Sequence, residues 1–146
     1  MNIDRKLMEK ELRSHCVPFL RELGFKGSFP DMYRNTDGFV SLINFQFFSS
    51  GGSFCINLSY AEPSRKNIYF RKDIELKKLR VSQTTEHVRL GSDNLKRDHW
   101  FSFGLTSYGE LRGEPMPPRE LTRRINDLIK NQAEPWWASK YKQSQS

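Results

Sequence analysis

A chain of 146 residues with 24 Lys and Arg against 17 Asp and Glu, net +7, has the length of one domain and a charge suited to anionic partners. Its hydrophobic share of 36% includes 11 Phe, 5 Tyr and 3 Trp, which excludes a disordered chain and points to a core built on a few large rings. No run approaches the roughly 18 apolar residues of a membrane span, and the charged N-terminus lacks the apolar centre of a secretory signal, so the expected location is the cytoplasm.

Asp4 to Leu23 reads as the first helix, with Leu7, Met8, Leu12, Cys16, Phe19, Leu20 and Leu23 along one face. Pro18 removes a backbone donor there, so a kink or restart is expected near Val17, and Gly24 supplies the stop. Phe25 to Arg34 is expected as a strand interrupted at Pro30, and Asn35-Thr36-Asp37-Gly38 as a tight turn. Phe39 to Phe48 is the clearest long strand: Ile43, Phe45 and Phe47 share one face, and Asn44, Gln46 and Phe48 the other. After the turn Ser49-Ser50-Gly51-Gly52, Ser53 to Tyr60 alternates with the period of a half-covered antiparallel strand.

Ala61 to Gln83 is a basic connection with a short helix or edge strand around Ile68 to Leu79. Strands are expected over Thr84 to Leu90 and Asp98 to Thr106, the latter with Phe101, Phe103 and Leu105 on one side. The final helix starts near Pro117 or Pro118, carries Leu121, Ile125, Leu128 and Ile129 as its apolar stripe, and is ended by Pro135. Trp136 and Trp137 are expected to fold back over a sheet edge, and residues 142–146 to fray. The sum is a single α+β domain over residues 1–141: an antiparallel sheet of about five strands with N-terminal and C-terminal helices packed on one face.

The succession Gly24-Phe25-Lys26, Met32-Tyr33-Arg34, Leu42-Ile43-Asn44-Phe45-Gln46 and Phe54-Cys55-Ile56-Asn57-Leu58 resembles a bacterial family, domain-of-unknown-function family 4304. Arg89-Leu90-Gly91 and Trp100 fit the place of its Arg-x-Gly element and following tryptophan, and the likeness runs from about Leu12 to Phe103. The chain departs from it at Phe101, where a second Trp is often found, and in its basic connection. The resemblance implies a fold and brings no activity with it.

Catalytic signatures do not emerge. His15, His87 and His99 have no metal-ligand spacing, Ser50-Gly51-Gly52-Ser53 lies between strands rather than before a helix, and Cys16 and Cys55 form no C-x-x-C pair. No catalytic residue, metal or cofactor is therefore assigned, and both cysteines are expected as buried free thiols. The candidate binding group is polar: Asn44 and Gln46 on one strand face, Asn57 on the neighbouring strand, Arg89 and Trp100 beside them, and Arg34 at a strand end. Amides with a cation and a ring suit an anionic or planar group; the alternatives are a solvated sheet face with ordinary strand-pair hydrogen bonds or a register-fixing amide network. A basic patch of Arg65, Lys66, Arg71, Lys72, Lys77, Lys78 and Arg80 is the second candidate surface.

Three functions compete. The first is a non-enzymatic protein-interaction module, immunity- or accessory-like by analogy of build, whose partner is a protein with an acidic surface. The second is a nucleic-acid-binding domain using the basic 65–80 segment. The third is a binder of, or enzyme on, a small anionic ligand at the polar sheet face. A membrane partner is not expected.

Overall fold

A computed structural model describes residues 4–69 and 74–145 of the protein. The apolar stripe of the first helix is split by Pro18: α1 (Arg5–His15) ends as α2 (Val17–Glu22) begins, with the proline in the first turn of α2, where its missing N–H costs nothing. Asp4 caps α1 by accepting from the Leu7 amide at 2.8 Å. The sheet follows as β1 (Lys26–Ser28), β2 (Asp31–Thr36), β3 (Phe39–Phe47) and β4 (Ser53–Ala61), each antiparallel to the last. Asp37 and Gly38 link β2 to β3 with φ of 51° and 90°, the paired positive values that let a two-residue turn follow the twist of the strands.

Beyond β4 the strands are shorter than the alternation suggests. β5 (His87–Arg89) and β6 (Phe101–Ser102) both pair with the far edge of β4, β5 along Asn57–Ser59 and β6 along Ser53–Phe54. The expected strand over 84–90 starts late because Thr84 is held in a turn, its amide and hydroxyl both donating to the Val81 carbonyl. The strand expected over 98–106 stops at Ser102, where the chain turns to meet the Gly51–Gly52 loop, and Leu105 is left 59% exposed. In 62–83 the described residues form short 3-10 turns and an Ile68–Thr84 bridge; the turn over Leu76–Lys78 is the short helix that the expectation places around Ile68 to Leu79.

The largest correction concerns Pro135. α3 (Pro118–Leu128) does not end there: a π turn over Ile129–Ala133 passes directly into α4 (Glu134–Gln145). Pro135 follows the π turn directly, where the Glu134 N–H reaches back to the Ile129 carbonyl in an i→i−5 bond, and this wider turn lets the helical path carry the proline that reads as a terminator.

All the helices lie on one side. Phe39, Ile43, Phe45, Phe54, Ile56 and Leu58 of the sheet meet Met8, Leu12 and Leu20 of α1 and α2 and Leu121 and Ile125 of α3 in one buried cluster. Trp137 sits within this core rather than at a sheet edge: it packs 5.2 Å from the Phe25 ring and donates its indole N–H to the Ser59 carbonyl at 2.9 Å. The outer face is only half covered. Val40, Leu42 and Ala61 are capped by Ile74, Leu79 and Val81 of the connection in a second, smaller core. The rest of that face stays open.

Candidate functional site

The open half of the outer face is ordered by strand register. Asp31, Asn44, Asn57 and Arg89 stand opposite one another across β2, β3, β4 and β5, so one row of side chains crosses four strands. Period-2 alternation sends all of them outward, because their neighbours Met32, Ile43, Leu58 and Val88 point into the core. Gln46 and Cys55 form the next row.

Hydrogen bonds join these rows into a ladder. Asn44 donates to the Asp31 carboxylate at 2.8 Å, and Asn57 donates to Asn44 Oδ1 and to Gln46 Oε1, both at 3.0 Å. Arg80 closes one end, its Nε 3.3 Å from Asp31 Oδ2. Arg89 pairs with Asp98 at the other end, and Asp98 also accepts the Trp100 indole N–H at 3.0 Å. The Arg89 guanidinium lies 5.4 Å from the Trp100 ring, and Arg112 lies 4.3 Å from Phe48 and 4.7 Å from Trp100. Gly113 makes that placement possible: with φ of 99°, a Cβ there would come within 2.5 Å of the Trp100 carbonyl oxygen. Between ladder and connection lies a hollow of about 480 Å³, edged by Ser82 and by His87, whose Nε2 is 2.7 Å from the Thr84 carbonyl.

Asn44, Gln46, Asn57, Arg89 and Trp100 are thus brought together, whereas Arg34 is on the opposite, helical face. There it forms a two-pronged pair with Glu134 at 2.7 and 3.0 Å, donates to the Leu23 carbonyl at 3.2 Å and lies 4.6 Å from the Phe25 ring. Arg34 fastens α4 to the sheet. Of the basic patch, Lys66, Lys77 and Lys78 are exposed, Lys77 being 3.7 Å from Glu75, and Arg80 is turned into the ladder by Asp31. Arg71, Lys72 and the Arg65 side chain lie outside the described residues.

Composition and spacing missed Asp31, Asp98 and Arg112. The Asp37-Gly38 turn pairs Asp31 with Asn44 once the hairpin is drawn, so that residue was within reach of the sequence. Arg112 sits in a loop with no periodicity to announce it. Cys55, under the ladder, is fully buried, and burial pushes its thiol up to about 11 against the lowering field of Arg89. It is a packing residue at neutral pH. Among the described residues no group of three His, Cys, Asp or Glu side chains is placed to hold a metal ion. The arrangement offers amide edges, a stacked guanidinium and two ring faces, which is equipment for recognition.

No curated protein and no solved structure matches the chain. The family described as Domain of unknown function (DUF4304) matches residues 16–145, a span holding the whole sheet and every residue of the ladder, and the chain belongs to that family.

Proposed function

We propose that the protein is a non-enzymatic interaction module that docks an acidic protein partner on the open half of its outer sheet face. The observation carrying this is the juxtaposition of an amide ladder with an Arg–aromatic cluster, Arg89 and Arg112 against Trp100 and Phe48. Arg and Trp are enriched among the residues that dominate binding energy at interfaces, and hydrogen-bonded amides present fixed donors and acceptors at little entropic cost. The chain's net charge of +7 favours an acidic surface opposite. Nucleic acid is the weaker alternative, since Arg80 is neutralised by Asp31 and Lys77 stands near Glu75.

The test compares capture from host lysate by the wild type, Gln46→Glu and Lys130→Glu. Gln46 is exposed and accepts from Asn57, so Glu keeps the ladder while adding a negative charge to the face. Lys130→Glu makes a larger charge change on the exposed side of the π turn. One protein captured stoichiometrically after nuclease and at about 0.5 M salt, and lost only with Gln46→Glu, is the expected result. Recovery of nucleic acid alone, released by that salt as counterion release requires, or a partner indifferent to Gln46→Glu, would overturn it.

A further inference from the structure

Beside the ladder, a second cleft of about 530 Å³ opens between the Asp98–Phe101 segment, the Arg112–Met116 segment and the start of α3. Its volume lies in the range of small-molecule sites, roughly 300–1,000 Å³. The floor is apolar, with Phe101 and Leu121 at 3% and 1% exposure and Met116 half-buried.

Two arginines border this floor, and neither guanidinium has a carboxylate or hydrogen-bond acceptor among the described residues. Arg5, Arg34, Arg80, Arg89 and Arg119 each have an acidic partner, and among the described residues Arg13, Arg97 and Arg123 share the lack of one. Arg112 is the more telling of the two. Its plane is held by the Phe48 and Trp100 rings, and its Nε is buried without an acceptor. A buried donor left unpaired is costly, of the order of 1–3 kcal/mol, and an oriented guanidinium fork is matched by a carboxylate. Charge sets the valence: Asp98 is neutralised by Arg89, so Arg112 and Arg124 against Glu114 leave one positive charge, which suits a monoanion better than a dianion.

We propose that this cleft binds a monocarboxylate with an apolar body, its carboxylate held by Arg112 and Arg124 and its body laid on Phe101, Met116 and Leu121. The cleft shares Arg112 and Trp100 with the docking face, whereas its apolar floor and Arg124 lie outside that face: Gln46→Glu probes the face alone and Arg124→Gln the cleft alone, so the two readings fail separately. The carboxylate comes either from a free small acid or from the C-terminus of a polypeptide.

The experiment follows the Trp100 indole N–H and Arg112 Nε–H resonances of the full chain during titration with N-acetylphenylalanine as its carboxylate. Saturable shifts of both signals are expected, with no saturable shift from the neutral N-acetylphenylalanine amide. Arg124→Gln, an exposed helix residue whose change spares the core, should weaken binding about tenfold, the worth of one charge-assisted hydrogen bond. Arg112→Lys, which keeps the charge and loses the stacked fork, should do the same. A short peptide ending in the same free carboxylate separates the sources: tighter binding than the amino acid derivative assigns a polypeptide terminus, and equal or weaker binding a free acid. Equal binding of the amide, equal binding of inorganic phosphate, unchanged affinity in Arg124→Gln, or no saturation with the carboxylate would overturn the proposal.

Discussion

Replacing Arg34 by Met and Glu134 by Ala, singly and together, separates a fold-fastening arginine from a ligand-binding one. The pair is bidentate at 2.7 and 3.0 Å, with side chains 18% and 30% exposed. Exposed ion pairs are worth about 0–1 kcal/mol, while breaking a buried one costs about 3–5 kcal/mol. The residual exposure places the Arg34–Glu134 coupling between these, at about 2 kcal/mol. Arg34→Met also loses the bond to the Leu23 carbonyl and the contact with the Phe25 ring, each worth roughly 0.5–1 kcal/mol, so its total cost is about 3 kcal/mol. Urea denaturation of the four proteins gives the coupling as a double-mutant cycle. The double variant should be less destabilised than the sum of the singles by about 2 kcal/mol. A coupling below about 0.5 kcal/mol would refute the assignment of Arg34 to holding α4 on the sheet.

Three further outcomes are expected. Trp137→Ala, which empties a site 1% exposed and removes the indole bond to the Ser59 carbonyl, should cost about 3–5 kcal/mol in the same denaturation assay. Burial, aided by Arg124 and opposed by Asp98 and Asp93, holds the His99 pKa below its ordinary value near 6.5. The unfolded chain therefore takes up a proton there that the folded chain refuses, and unfolding free energy should fall as pH drops through about 6.5 towards the lowered value. Thermal melts across that window should show the dependence flattened in His99→Gln. Lastly, Cys16 and Cys55, pushed up to about 12 and about 11 by burial, should resist a thiol-labelling reagent at pH 8 and react at the rate of unfolding; immediate labelling of either would contradict their packing.

The parts of this fold legible in sequence are those where a single period decides. The alternation of Ile43, Phe45 and Phe47 against Asn44 and Gln46, with turn chemistry at Asp37-Gly38, dictates β2, β3 and β4 and their faces, because a one-residue slip would expose every apolar side chain. Pro18 reads as a restart and is one, since α2 begins at Val17, whereas Pro135 shows where local signals stop deciding. Whether the helical path ends at such a proline depends on what the following residues bury; after Pro135 that is Trp137, packed against Phe25 from far earlier in the chain. β5 and β6 are short because their extent is set by how much of one edge of β4 each can reach.

The candidate site divides in the same way. Asn44, Gln46 and Asn57 share a face by alternation alone, and register adds Asp31 and Arg89. The Tyr33-Arg34 pair gives no sign in sequence of which side faces the helices, and it is Glu134, one hundred residues away in sequence, that draws Arg34 to the helical face. Arg112 reaches the cluster through a loop seated by the close approach of Gly113 to Trp100, a tertiary contact with no local signature.

The most direct test of the docking face is to add the captured partner to isotope-labelled protein and map the shifted signals. Movement of the Gln46 and Asn57 side-chain amides and the Trp100 indole, with the exposed side chains of α1 and α3 unchanged, is the predicted result. Shifts confined to those helices or to residues 66–80, with the ladder amides unmoved, would contradict it.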